Sequence, residues 1–163
     1  MIVVSDTGPI NYLILIEHLD LLPRLDGDVI IPQSVAQELS SPSSPPAAVA
    51  MILTPPDWLK ITPVGVSDDT LNDLGDGERE AISLAKSLEA DLLLCDDGDA
   101  RAAARSRDIR VVGTLGALQE AAEAGMLDFA DAISKLQRTN FRISRTLREA
   151  LLSRHRQPPT SEN

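Results

Sequence analysis

The residues of this chain whose types and spacing could do chemistry are carboxylates. The stretch "LLLCDDGDAR", residues 92–101, closes an apolar run with Asp96, Asp97 and Asp99 inside four positions. Like charges that close oppose one another's ionisation unless water, hydrogen-bond donors or a cation relieves them. Asp6 closes a second apolar run, "IVVS". Glu78 opens a helical pattern and falls inside the arc drawn by Ala81, Ile82, Leu84, Ala85 and Leu88, one turn before Ile82, whereas Glu80 falls outside it. Glu38 borders the stripe of Val35 and Leu39. A single Asp after a strand reads as the cap of the next helix, but one helix needs one cap and not three acids. Collected, Asp6, Glu38, Glu78 and the 96–99 cluster form a pocket of hard oxygen donors without histidine or cysteine help. That donor set suits Mg²⁺ or Mn²⁺, one ion or two, rather than zinc. Its natural work is phosphoryl chemistry, in which the ion activates a water, orients a phosphodiester and stabilises the departing oxygen. Rival chemistries are poorly served. His18 and His155 lie in helical stretches with no nucleophile beside them and read as surface residues, and "GDGE" lacks the lysine and hydroxyl of a phosphate loop.

These acids need a scaffold that brings distant segments together. "IVVS", "VIIP", "DLLLC" and "RVVG" are short apolar runs, each followed by a helical pattern, and "WLKITPV" alternates like an edge strand. The helices expected after them are "INYLILIEHLDLLPRL" over 10–25, "QSVAQELS", a helical stretch from Ser67 through "EREAISLAKSLEA", "GDARAAARSR" and "LGALQEAAEAG". A short Ala-rich helix lies within 41–57, and two more occupy 128–137 and 144–154. Alternating buried strands and helices predict an α/β fold, a three-layer α/β/α sandwich with a mainly parallel central sheet. Ligands of such sheets gather at the carboxyl ends of strands near a switch in strand order, which is where Asp6 and the 96–99 cluster fall.

In that order, "VVSDTGPINYL", "IIPQSVAQEL", "GDGEREAISLA", "LLLCDDGDARAAA" and "VVGTLGAL" resemble the successive blocks of PIN-domain proteins, in the branch of VapC-like toxin nucleases. The resemblance spans about residues 2–127. It implies a Mg²⁺- or Mn²⁺-dependent endoribonuclease, often a homodimer held beside a protein antitoxin. Carried over, Asp6, Glu38, Glu78, Asp97 and Asp99 match the family's site acids. On this reading Asp6 and Asp97 bind metal directly, Glu78 and Asp99 hold a second ion or an ordered water, and Glu38 orients or deprotonates the attacking water. Cys95 stands where the family usually has Thr, so a hydroxyl that holds water is missing there. Asp96 is an extra acid whose direction the sequence leaves open as a further metal ligand. Thr7 offers a hydroxyl either to the site or to a local turn.

Composition agrees with one domain, 1–157, followed by a disordered tail at 158–163. The net charge of −10 is unevenly spread. Residues 135–157 hold seven basic groups against Glu149 alone, a net +6, while residues 1–134 carry −15. This basic arm reads either as a solvated amphipathic helix or as an arm for RNA or a partner. Aromatics are 2% of the chain, so base stacking is not its main binding device. The lone Cys95 excludes a disulfide framework, and no apolar run approaches the ~18 residues of a membrane span. The expected compartment is the cytoplasm, with no membrane partner. Two other classes fit the acids less well: a non-catalytic module whose pocket receives a partner's Arg or Lys, and another phosphoryl-transfer enzyme of the α/β kind, for which no lysine follows an appropriate strand.

Overall fold

A computed structural model describes residues 1–155. The expected tail, the expected domain end at 157 and Arg156 of the basic arm lie outside the described residues. Five strands, β1 (Val3–Ser5), β2 (Val29–Pro32), β3 (Leu59–Thr62), β4 (Leu92–Leu94) and β5 (Val111–Val112), form one sheet in the order β3-β2-β1-β4-β5. Every pairing is parallel, so the carboxyl ends of all five strands lie along one edge. The described residues also form nine α-helices: α1 (Thr7–Leu15), α2 (Leu21–Asp26), α3 (Gln33–Leu39), α4 (Pro46–Leu53), α5 (Asp76–Ser87), α6 (Gly98–Arg105), α7 (Thr114–Glu123), α8 (Phe129–Gln137) and α9 (Arg145–Arg154). None of them is long and apolar enough to cross a membrane.

Period-two alternation along the strands sorts the core into the two outer layers. Val3, Val29, Ile31, Leu92 and Leu94 join Ile10 and Leu13 of α1, Leu118 of α7 and Ile133 of α8. Val4, Leu93 and Cys95 face the other way, onto Ala81, Ile82 and Ala85 of α5 and Ala100 and Ala104 of α6. Tyr12 crosses the first layer, its ring edge-on to Phe141 at 4.9 Å between centroids.

The helix expected from Ser67 starts only at Asp76, because Asp68 accepts the Thr70 N–H at 2.9 Å and caps a short 3-10 helix, Asp69–Leu71, before it. The single helix expected over 10–25 is two helices, α1 and α2. Glu17 takes the left-handed conformation at φ 62°, its N–H donates to the carbonyl of Ile14, and that of His18 donates to Leu13. This closes the end of α1 in the manner usually entrusted to glycine. Gly125 does the same after α7, and Glu89 and Asp108 after α5 and α6. The sequence hides three of these four stops because acidic side chains occupy them. The histidines also differ from expectation: both are half-buried, with His155 stacked on Phe129 at 4.3 Å between centroids.

Candidate active site

The sheet switches direction between β1 and β4. From β1 the chain builds outward through β2 to β3, and only then returns to add β4 on the opposite side of β1. The helices that leave β1 and β4 pack on opposite faces, Ile10 and Leu13 of α1 in the first layer and Ala100 and Ala104 of α6 in the second, and such a switch leaves a crevice at the carboxyl ends. Asp6 follows β1 and the Cys95–Asp97 segment follows β4, tied together by the Asp6 N–H donating to the Leu94 carbonyl at 2.9 Å.

Asp6 stands at the N-cap of α1 but makes no side-chain cap hydrogen bond. It is 7% exposed, and its Oδ1 is buried without a partner. Burial drives its carboxyl up to about 7 from 3.8; the Thr7 amide eases this, while the charges of Glu78, Glu38 and Asp96 add to it. An uncapped carboxyl with one oxygen buried and orphaned at a strand end costs stability and serves no local need of the helix. Glu78, half-buried in the first turn of α5, is also pushed up, first by burial and then by the charge of Asp97, with Glu38 and Asp99 contributing. Glu78 thus lies near enough to Asp97, Glu38 and Asp99 to feel their charge.

Glu38 is exposed on α3, yet it points back to the crevice and accepts a hydrogen bond from the Thr7 hydroxyl. Thr7 thus serves the site rather than its own turn. Glu38 fits because residue 77 is glycine: a Cβ there would lie 2.7 Å from each carboxylate oxygen of Glu38. Gly77 is the site residue that the sequence reading missed, and the clue lay in "GDGE", where a glycine precedes the inward acid. Gly77→Ala is expected to displace the flexible end of Glu38 and break its bond with Thr7 while moving stability by less than ~1 kcal/mol. A crystal structure of the variant, with its thermal melting, checks this.

The aspartate triplet divides its labour. Asp97 caps α6 by accepting the Ala100 N–H through Oδ2 at 2.9 Å. Asp96 points to the other layer and clamps the start of α7, Oδ1 accepting the Thr114 N–H at 2.7 Å and Oδ2 the Thr114 hydroxyl at 2.6 Å. Burial raises its carboxyl, and the Thr114 bonds and the charge of Arg101 partly offset this. The expectation that one helix accounts for one of the three acids changes accordingly: two helices employ two of them. Asp99, exposed in the first turn of α6, is the one with neither task. Gly113 permits the clamp, since a Cβ there would sit 2.7 Å from Asp96 Oδ1 and 2.5 Å from Arg101 Nη1.

Cys95 is buried, its Sγ 3.9 Å from Asp6 Oδ2. Burial and then the Asp6 charge push the thiol far above its usual range. In the place of a hydroxyl the site has a protonated, weakly donating sulfur.

The donor set and the orphaned Asp6 oxygen fit a hard divalent cation. Asp6, Glu78, Asp97 through its Oδ1, and Asp99 have oxygens left for it; both oxygens of Asp96 are engaged. Among the described residues no three such side chains already converge on one point, so the acids would have to swing inward to share an ion.

A family model described as DUF3368, PIN domain, matches residues 2–157. Among solved structures, the chain is similar to a PilT N-terminus domain protein from the hyperthermophilic archaeon Sulfolobus solfataricus P2. The two are 14% identical, the match covers 88% of this chain and 100% of that one, and the TM-score is 0.52. At that identity the likeness is one of fold, and it agrees with the three layers described above. No curated protein matches the chain.

Proposed function

The chain belongs to the PIN-domain family, whose members are generally nucleases, and from that premise we propose that it is a Mg²⁺- or Mn²⁺-dependent endoribonuclease. The observation that carries this reading is the uncapped Asp6 carboxyl at the sheet's switch point, its Oδ1 buried without a partner, with Glu78 and Glu38 within reach of its charge. Asp6, Glu78, Asp97 and Asp99 hold the cation, one ion or two. Bound there, it supplies positive charge that orients a phosphodiester and acidifies a water. Glu38 takes the proton of the attacking water, oriented by the Thr7 hydroxyl and given room by Gly77. Asp97 keeps one oxygen on the α6 backbone, which fixes the direction of the other. Asp96 holds the end of β4 against α7 and so sets where Asp97 and Asp99 emerge.

The test is cleavage of single-stranded RNA by purified protein. Activity is expected with Mn²⁺ or Mg²⁺, loss with EDTA, and a fall of at least about a hundredfold in Glu78→Gln. RNA cut equally fast in EDTA, or by Glu78→Gln, would sink the assignment.

The toxin half of a toxin–antitoxin pair, acting as a homodimer, is the biological role we place on this chemistry, supported by the resemblance of the sequence blocks to VapC-like proteins. A small antitoxin-like reading frame beside this one is its cheapest check. A non-catalytic partner-binding module draws support from one feature, the lack of ready convergence among the acids. Such a module would bind its partner and cut no RNA under either ion.

A further inference from the structure

A cleft of 540 Å³ opens between α1, the loop before α4 and the end of α8. Two physical routes join it to the site. Along α1, Thr7, Asn11 and Leu15 follow one another at one-turn spacing on one face; Thr7 donates to Glu38, and Asn11 and Leu15 line the cleft. Along the α3–α4 loop, the Ser44 hydroxyl donates to the Glu38 carbonyl at 2.7 Å, and its neighbours Ser43 and Pro45 line the cleft. The Tyr12 hydroxyl braces the opposite wall by donating to Asn140 at 2.8 Å.

The charges on that wall come from the basic arm. Lys135 and Arg138, one turn apart at the end of α8, line the cleft with Thr139 and Asn140, and Glu17 is its single acidic lining residue. Arg138 pairs with no acid among the described residues. Lys135 meets Asp131 at 3.4 Å, an exposed pair of the kind that holds a cation weakly. Among the described residues, the other arginines of the arm, Arg148 included, do not line this cleft. Arg145 is paired with Glu149 at 3.0 Å and Arg154 with Glu123 at 4.0 Å, both on α9, and Arg142 lines a separate groove.

We infer that this cleft is the track along which an RNA strand reaches the carboxylates, its phosphates held by Lys135 and Arg138 rather than by the arm as a whole. This rests on the ribonuclease reading above and names where its substrate lies. A pocket of acids repels a polyanion, so the strand needs its grip elsewhere. The eight steps from Thr7, which touches Glu38, to Leu15, which lines the cleft, rise ~12 Å along α1, more than the ~8 Å screening length at physiological salt. Lys135 and Arg138 line the cleft and not the acid crevice, and there they pull on phosphate. Asn11 and Ser43 add uncharged hydrogen-bonding groups that suit sugar and base edges.

Binding of a fluorescent single-stranded RNA octamer, measured against salt in Mg²⁺, tests the placement in an Asp6→Asn background where the strand is not consumed. Lys135→Ala with Arg138→Ala is expected to weaken binding at least about tenfold and to lower the slope of log affinity on log salt by ~1.4, two phosphate contacts at ~0.7 each. Arg145→Ala with Arg148→Ala on α9 is expected to change affinity less than about twofold. Unchanged binding in the cleft pair, as an acidic protein occupant would give, overturns the inference, and so does an equal loss in the α9 pair. The chain with Asp6 intact, carrying either pair of substitutions, is then given bis(p-nitrophenyl) phosphate, a diester too small to span the cleft. Equal hydrolysis is expected in both. If the unsubstituted chain leaves this diester and RNA uncut, the ribonuclease reading fails, while the octamer result still decides the cleft.

Discussion

Asp6→Asn is expected to abolish RNA cleavage and at the same time to make the metal-free protein more stable. A loss on the order of a thousandfold, ~4 kcal/mol in the barrier, follows if the carboxylate is a direct ligand of the reacting centre. The gain in stability follows from burial. The gap between 3.8 and about 7 for this carboxyl represents on the order of 4 kcal/mol held against its ionised form. That figure is a ceiling, since a buried amide also lacks partners, and ~1–3 kcal/mol is the expected gain at pH 8. The sign with pH is definite. An acid whose folded pKa is raised binds more protons folded than unfolded, so stability falls as pH rises from about 4 to about 7 and is flat above. The wild type should therefore melt higher at pH 5 than at pH 8 by more than Asp6→Asn does. Asp26, also pushed up to about 6 by burial and by Glu120, is common to both proteins and cancels in their difference. An Asn variant that cuts RNA like the wild type, or that melts lower at pH 8, would show that Asp6 has another purpose.

Adding a divalent ion should produce the second large effect. A ligand that binds only the folded chain, present at a hundred times its Kd, stabilises it by ~2.7 kcal/mol, or ~5–10 °C of melting temperature for a domain of this size. The rise should be larger at pH 8 than at pH 6, because below about 7 the ion competes with the proton on Asp6. Asp6→Asn should lose the rise while keeping its higher starting point. A wild-type melting temperature that stays put with ~10 mM of either ion at pH 8 would count against a cation site among these acids.

What the sequence made legible was local. Apolar runs of three to five residues gave the strands, the alternation gave the parallel sheet, and β3 is the edge strand that "WLKITPV" predicted. Asp6 at a strand end and Glu78 inside an apolar arc each broke a local rule, which is why both stood out. The triplet was harder because its apportioning is not local. Asp96 is taken up by Thr114, eighteen positions on, and only the pairing of β5 with β4 brings those residues together. Gly77 and the cleft were illegible for the same reason: the space a missing Cβ leaves for Glu38, and a groove between α1 and α8, exist only once distant helices are packed. The early stop of α1 was hidden differently, since nothing in a glutamate announces a left-handed backbone.

The buried sulfur of Cys95 makes the chain its own reporter. It is the only thiol in the sequence and is 1% exposed in the core beneath the acids. A maleimide or disulfide reagent can reach it only during moments when the end of β4 separates from its neighbours. The rate of labelling therefore times that separation, and anything that fastens the strand ends, whether an ion, a bound strand of RNA or a protein partner, lengthens the interval without any tag being added.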